Sequence, residues 1–303
     1  MATFLQNVQD VCLELGLPSP TTAANNSDEM VLQIKALMNR IGDLLTTEND
    51  WQALIKEYRF QTVYYQYTGN IALNATQITG MSSIAGLTSD FMVTGNGILQ
   101  DTFVTSATGS TVNININATG AYSGGTYTFG QVNYAMPTDY QRMVNKTQYN
   151  KSNRWAVIGP KDAQEWQWLK ASYVTTGPRM RFRIQGNKFA VWPPPSSNVI
   201  LGFEYQSGAW VLASDGITYK QKFSADTDTS LFPDRLLVLG TKLKYFQIKG
   251  FDTTALQNDF AREVLKFKAQ DAGADTLSMA PKYPNILLTQ NNLPDTGFGN
   301  TTS

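Results

Sequence analysis

Apolar residues recur at helical spacing from the start of the chain. Leu5, Val8, Cys12 and Leu15 form one stripe, which stops at Gly16 ahead of Pro18 and Pro20. A glycine there suits the left-handed residue that closes a helix, and the prolines cannot continue it. Met30, Ile34, Leu37, Met38, Ile41, Leu44 and Leu45 mark a second helix. Ser27 offers it a capping oxygen, and Asp28 and Glu29 suit the positive end of its dipole. Each helix is apolar on one side only, so the pair must dock on another element. Trp51 and Leu54 close the helical part, and the period then changes to two. Tyr58, Phe60, Thr62 and Tyr64 alternate with polar neighbours, as in a strand.

The next stretch differs in composition. Between Gly69 and Asn133 the only Asp, Glu, Lys or Arg residues are Asp90 and Asp101. Val112, Ile114 and Ile116 alternate with Thr111, Asn113, Asn115 and Asn117, a strand pattern that a floppy spacer would lack. Tyr127 and Phe129 repeat it, with Gly124-Gly125 read as the turn before them and residues 95–97 (GNG) as another turn. Both flanks are extended and aromatic, which predicts a small β-domain over 69–133 inserted at the tip of a hairpin of the main body. Such insertions cost little loop-closure entropy. The body is then discontinuous, residues 1–68 and 134–273.

Residues 159–173 predict a short helix, with Pro160 near its first turn and Asp162 and Glu165 at its N-terminal end. Residues 179–223 predict a meander of about five strands, turning at Gly186-Asn187 and Asp215-Gly216. Pro233 opens a helix that Gly250 ends; Asp252 caps another, with Leu256, Phe260, Val264 and Phe267 as its seam. Residues 274–303 have no periodicity and form an extended C-terminal tail. Its scattered Tyr283, Ile286, Leu287, Leu288 and Phe298 are the candidate partner-docking residues. The fold class expected is α+β: a helical core with an antiparallel β-meander, an inserted all-β domain (Ig-like or a small sandwich) and that tail.

Composition narrows the chemistry. Of 303 residues 42% are hydrophobic and 12% aromatic, enough for packed cores. The formal net charge is zero, which argues against a protein that binds nucleic acid or anionic membrane through bulk charge. There is one cysteine, Cys12, read as a buried helix residue, and no histidine, the commonest general base and metal ligand. The first residues lack a basic n-region and no run of 18 apolar residues occurs, so the expectation is a soluble protein made in a reducing cytoplasm.

Individual candidates read as structural. Asp226 and Asp228 are too few for calcium and suit side-chain-to-backbone turns. Arg179, Arg181 and Arg183 with Lys188 can line one sheet face, as a phosphate stripe or, more in keeping with zero net charge, as a solvated or subunit-contact face. Tyr149, Trp155, Trp166, Trp168 and Tyr173 form an aromatic region better suited to core or contact than to sugar binding. Asp139, Asp162, Glu165 and Glu204 can in principle supply a glycosidase pair, but no motif singles out two of them. No nucleophile motif, phosphate loop or Cys/His cluster occurs. No catalytic, cofactor-binding or metal residues are assigned, and no cofactor is expected.

The order of parts resembles the head-to-tail adaptors of short-tailed bacteriophages, the tail tubular protein A and tail accessory factor group. The residues that carry it are NDWQALIKEYRF after the two helices, YAMPTDYQRMVN, RFRIQGNKFAVWPPPSSNVILGFEYQS and DTDTSLFPDRLLVLGTKLKYFQIKGFD. Together they cover most of 1–67 and 134–272. Within 69–133, ITGMSSIAGL and FMVTGNGI resemble a Gly/Thr-rich β-module of phage structural proteins, although LQDT replaces the usual glycine-rich turn after GNGI. The resemblance implies a virion structural protein of the neck, not an enzyme. It implies a homo-oligomeric ring, typically a dodecamer, below the portal protein ring, closing the DNA exit and carrying the tail or nozzle proteins. Genomic DNA would pass through without sequence-specific binding, and no membrane is involved. The rival readings are a carbohydrate-binding tail or decoration protein and a peptidoglycan glycosidase acting at entry.

Overall fold

The computed structural model describes residues 1–171 and 180–271. Helices α1 (Phe4–Leu15) and α2 (Glu29–Glu48) open the chain, followed by a 3-10 turn at Gln52–Leu54. Strands β1 (Ile55–Gln61), β2 (Tyr64–Ile71), β3 (Gln77–Thr79), β4 (Phe91–Gly95), β5 (Val104–Thr108), β6 (Thr111–Ile114) and β7 (Tyr122–Gln131) come next. After them come β8 (Asn133–Ala135), β9 (Tyr140–Met143), β10 (Tyr149–Asn150), β11 (Trp155–Ala156) and helix α3 (Ala163–Ala171). The remainder is β12 (Arg181–Gln185), β13 (Lys188–Trp192), β14 (Ile200–Ser207), β15 (Val211–Leu212), β16 (Tyr219–Lys220), β17 (Thr229–Ser230), α4 (Asp234–Lys249) and α5 (Thr254–Asp271).

Helix ends follow local chemistry. Gly16 closes α1 at φ 69°, where the amides of Gly16 and Leu17 donate to the carbonyls of Leu13 and Cys12. Thr3 and Gln6 cap its start reciprocally. Asp28, rather than Ser27, caps α2 by accepting from the Met30 amide. Pro233 stands just before α4, and Gly250 ends it in the left-handed conformation.

The helical core expected from the sequence is not the arrangement found. Among the described residues strands hold about as many residues as helices; α1, α2, α4 and α5 gather in one helical cap, while α3 packs on strand residues through Trp166 and Leu169. One buried cluster gathers α1, α2 and α4 around Trp51, Trp210, Phe223 and Phe232. The others are strand-built or strand-faced: Phe182, Phe189 and Phe203 stack between two sheets, and Tyr127 and Phe129 fill a third. The reason is payload. The helix stripes are narrow and one-sided, whereas the paired strands carry the large aromatic rings.

The continuous meander over 179–223 also gives way. β12 and β13 form the expected hairpin at Gly186 and Asn187, and β15 and β16 the one at Asp215-Gly216. Between them the chain changes sheet: β13 pairs with β8, while β14 pairs with β1, β9 and β10. Three consecutive prolines, Pro193, Pro194 and Pro195, separate β13 from β14, and proline has no N–H for a ladder. The flanks of the uncharged stretch do not form a hairpin with each other either, since β1 pairs with β14 and β8 with β13.

The uncharged stretch belongs to a single six-stranded antiparallel sheet, order β4-β7-β2-β3-β6-β5. Its outer strands meet at a bridge between Met92 and Phe103, where the Val93 amide donates to the Thr102 carbonyl at 2.9 Å. The sheet therefore curls into a nearly closed barrel rather than an Ig-like or other sandwich, which satisfies edges that would otherwise be bare. Gly124 and Gly125 are not a turn but lie inside β7, beside a register shift opposite Gly69 and Ile71. Gly124 sits at φ 63°, and Asn70 Oδ1 accepts from its amide and from Ser123 Oγ, filling the gap in the ladder.

Candidate contact surfaces

Three of the four carboxylates singled out by sequence are engaged by the fold, and Glu204 faces solvent. Asp139 accepts from Lys56 Nζ (2.8 Å), Tyr205 Oη (2.8 Å) and Ser207 Oγ (2.6 Å). Burial would raise its pKa, but those hydrogen bonds outweigh it and hold the carboxyl below its ordinary value. A group so held does not serve as a general acid. Asp162 Oδ1 accepts from the Glu165 amide at the start of α3, and Glu165 pairs with Lys161. Glu204 lies on β14 opposite Glu57.

Asp226 and Asp228 perform turn and loop chemistry. Asp226 Oδ1 accepts from the amides of Ala23 and Ala24, tying the α1–α2 loop to the chain before β17. Asp228, nearly inaccessible, accepts from Lys220 Nζ and from the amides of Ser224 and Ala225. Among the described residues no group of three or more His, Cys, Asp or Glu side chains is placed to hold a metal ion. Cys12 is buried, and burial first, then Asp28, raises its thiol pKa, so the sulfur is held as an unreactive thiol.

The aromatic region divides. Trp166 is buried with Leu169 against Ala190 and Trp192, whereas Trp168 faces solvent at 63% exposure. Tyr149 and Trp155 are half-buried in the β10–β11 pair. Arg181 and Arg183 are half-buried on β12. Lys188 leaves any basic stripe, because it pairs with Asp90. Arg179, Tyr173 and the tail positions Tyr283, Ile286, Leu287, Leu288 and Phe298 lie outside the described residues.

The two acids of the uncharged stretch were not read as contact residues, yet both face the body. Asp90 Oδ1 lies 2.6 Å from Lys188 Nζ on β13. Asp101 Oδ1 lies 3.1 Å from Lys170 Nζ on α3, an ion pair without hydrogen-bond geometry, and that ammonium also stands 5.1 Å from the Phe103 ring centroid. Between the two pairs, Met92 and Phe103 meet Val132, Trp166, Leu169, Ala190 and Trp192. Their isolation in an uncharged sequence was the available signal: a lone acid in such a stretch needs a partner from elsewhere.

The helical cap carries several exposed apolar side chains. Leu13 on α1, Ile248 on α4, Phe251 after it and Leu265 on α5 are each more than half exposed. A groove of about 650 Å³ runs between α1, α4 and α5, lined by Leu13, Val238 and Leu239 among charged residues. Among the described residues no helix is long and apolar enough to cross a membrane.

Aromatic sheet cores and apolar side chains left on a helical cap describe a protein of mixed sheets and helices. Residues 107–279 match the SU10 adaptor protein family, more than half of the sequence, and the chain belongs to that family. It is thereby a structural adaptor protein of a bacteriophage, a component of the virion that meets other head or tail proteins. The matched stretch begins in β5 and takes in every later described element. No curated protein matches the chain.

Proposed function

We propose that the chain is the head-to-tail adaptor of a short-tailed phage, of the tail tubular protein A kind. In this reading it forms a homo-oligomeric ring, twelve-fold, seated under the portal ring in the virion neck. The ring closes the DNA exit channel and offers a platform to tail or nozzle proteins. The observation that carries it is membership of the adaptor family together with the solvent-facing Leu13, Ile248, Phe251 and Leu265 of the helical cap. Such side chains suit a cap that becomes covered on assembly. Zero net charge suits a channel through which DNA must slide, because a basic lumen would grip phosphate.

Two further elements complete the proposal. The barrel is a unit inserted into a discontinuous body, and the tail carries Tyr283, Ile286, Leu287, Leu288 and Phe298 onto the portal or a neighbouring subunit. A few apolar anchors on such a segment can supply most of its affinity. Mixing the protein with its cognate portal and measuring the product by native mass spectrometry tests the whole. A ring-on-ring complex of matching stoichiometry is expected, and persistent monomer beside unbound portal would overturn it. Truncation after Gly273 should leave the melting temperature unchanged while weakening that assembly.

A further inference from the structure

The barrel's two charged side chains, Asp90 and Asp101, both pair with lysines of the body. The loops at residues 72–76, 96–100 and 115–121 carry no charge. These three loops converge: the amide of Asn74 donates to the carbonyl of Ala118, that of Ala118 to Ala75, and that of Thr119 to Gly97. On them stands Tyr122, 43% exposed and the most exposed aromatic of the barrel. Its ring rests on two glycines, since a Cβ at Gly97 would come within 2.9 Å of it and one at Gly120 within 2.8 Å. No side chain larger than hydrogen fits at either position without moving the ring.

The same loops carry polar but uncharged groups. Asn96 and Asn117 are exposed, and among the described residues their side chains have no hydrogen-bond partner. Each amide offers a donor and an acceptor side by side. Close by, Tyr127 is fully buried, and among the described residues its hydroxyl also lacks a partner. It stands 3.1 Å from where a Cβ of Gly125 would be. Burial first and Tyr122 second raise its pKa, so it remains a neutral donor.

We propose that this loop end of the barrel, centred on Tyr122, binds a neutral carbohydrate. The C–H face of a pyranose packs on an aromatic ring, and its hydroxyls need groups that donate and accept in turn, as the Asn96 and Asn117 amides do. A nucleic acid, an acidic glycan or a charged peptide finds no counter-charge there. The glycines give the ring a flat bed and keep the backbone within reach of the ligand. The barrel would thus add glycan recognition to a protein whose body makes the neck contacts.

The test uses the full chain on an array of neutral and acidic bacterial surface polysaccharides, with dextran and maltohexaose as simple probes. Positives are then measured by interferometry across salt concentrations. At least one neutral glycan should bind, with little change up to about 0.5 M salt because no ion pair is involved. Tyr122→Ala should lower affinity at least about tenfold, and Asn117→Ala by several-fold. Tyr122→Trp should retain binding, which separates a lost platform from a damaged barrel, and thermal melts of each variant confirm folding. The idea is overturned if no neutral glycan binds, if binding survives Tyr122→Ala, or if only acidic glycans bind and salt removes them.

Discussion

Lys188 Nζ lies 2.6 Å from Asp90 Oδ1, joining a strand of the body to a stretch of sequence with one other ionisable acid, Asp101, itself paired with Lys170. The pairs flank an apolar contact in which Met92 of the barrel is buried with Trp192 and Trp166. The two kinds of contact differ in strength. Lys188 is 42% exposed, so its pair should contribute about 0.2–1 kcal/mol and fade with salt. Removing the buried Met92 side chain should cost about 2–4 kcal/mol. Chemical denaturation of Lys188→Ala and Met92→Ala, each at low and high salt, checks both. A Lys188→Ala loss as large as that of Met92→Ala would show that the charges, not the apolar contact, seat the barrel.

A pH signature follows from Asp139. Its folded-state pKa is held below the ordinary value by Lys56, Ser207 and Tyr205 against the effect of burial. The stabilisation it supplies is therefore present above the unfolded value, about 4, and is lost as pH falls through the folded value. Asp139→Ala also strands the Tyr205 and Ser207 hydroxyls, and should cost about 2–3 kcal/mol at neutral pH, a figure moderated by the 20% exposure of the carboxylate. The gap between wild type and variant should narrow on acidification below about pH 4. A gap that is constant across that range would mean the carboxylate charge contributes nothing.

Gly42 sits inside α2, and a Cβ there would overlap the ring of Trp210. On an exposed helix, glycine to alanine gains about 1 kcal/mol. Here overpacking should outweigh that gain, since an extra methyl in a full core costs about 1–3 kcal/mol. Gly42→Ala should therefore lower the melting temperature despite its better helix propensity. Combined with Trp210→Phe, it should do less harm than the sum of the two single changes, because the smaller ring vacates the space. Strict additivity in calorimetry would refute the steric account.

Local signals were readable, and pairing between distant segments was not. The α1 stripe ending at Gly16, the hairpins at Asn187 and Asp215-Gly216, and the α4 stop at Gly250 all depend on residues within a few positions. Pairing of β1 with β14 joins Gln61 to Ile200, and alternation alone cannot name a partner that far away. The same limit turned a one-sided helical pattern into an expected core, because periodicity gives the buried face and not the size of what covers it. Gly124-Gly125 looked like a turn since the bulge that uses it depends on Asn70, far back in the chain. Of the site residues, only those with a local role, Asp162 and Asp228, could be read at their positions. Tyr122 needed Gly97 and Gly120 folded beneath it before it stood out.

Where the barrel can be cut follows from the ladder. Tyr64 to Gly69 pair with Gly130 to Gly125 inside it, so a bridge from Thr68 to Tyr134 would leave half of β2 without its partner. Exposed Tyr65 and Tyr67 on a bare strand should then cause aggregation. A Gly-Ser bridge from Thr62 to Asn133 removes the whole sheet. The ends are close, because the Gln131 amide donates to the Val63 carbonyl at 3.0 Å and the Val63 amide to Tyr134 Oη at 3.2 Å. Loop closure adds little, but loss of Met92 and Phe103 uncovers Trp166, Leu169, Ala190 and Trp192. The body should therefore unfold cooperatively at a lower temperature than the full chain and bind a hydrophobic dye. Replacing Trp192 by a polar residue in the excised protein should reduce the dye signal. If the excised protein shows no cooperative transition at all, the body and barrel share one folding unit, and the reading of the barrel as an insertion fails.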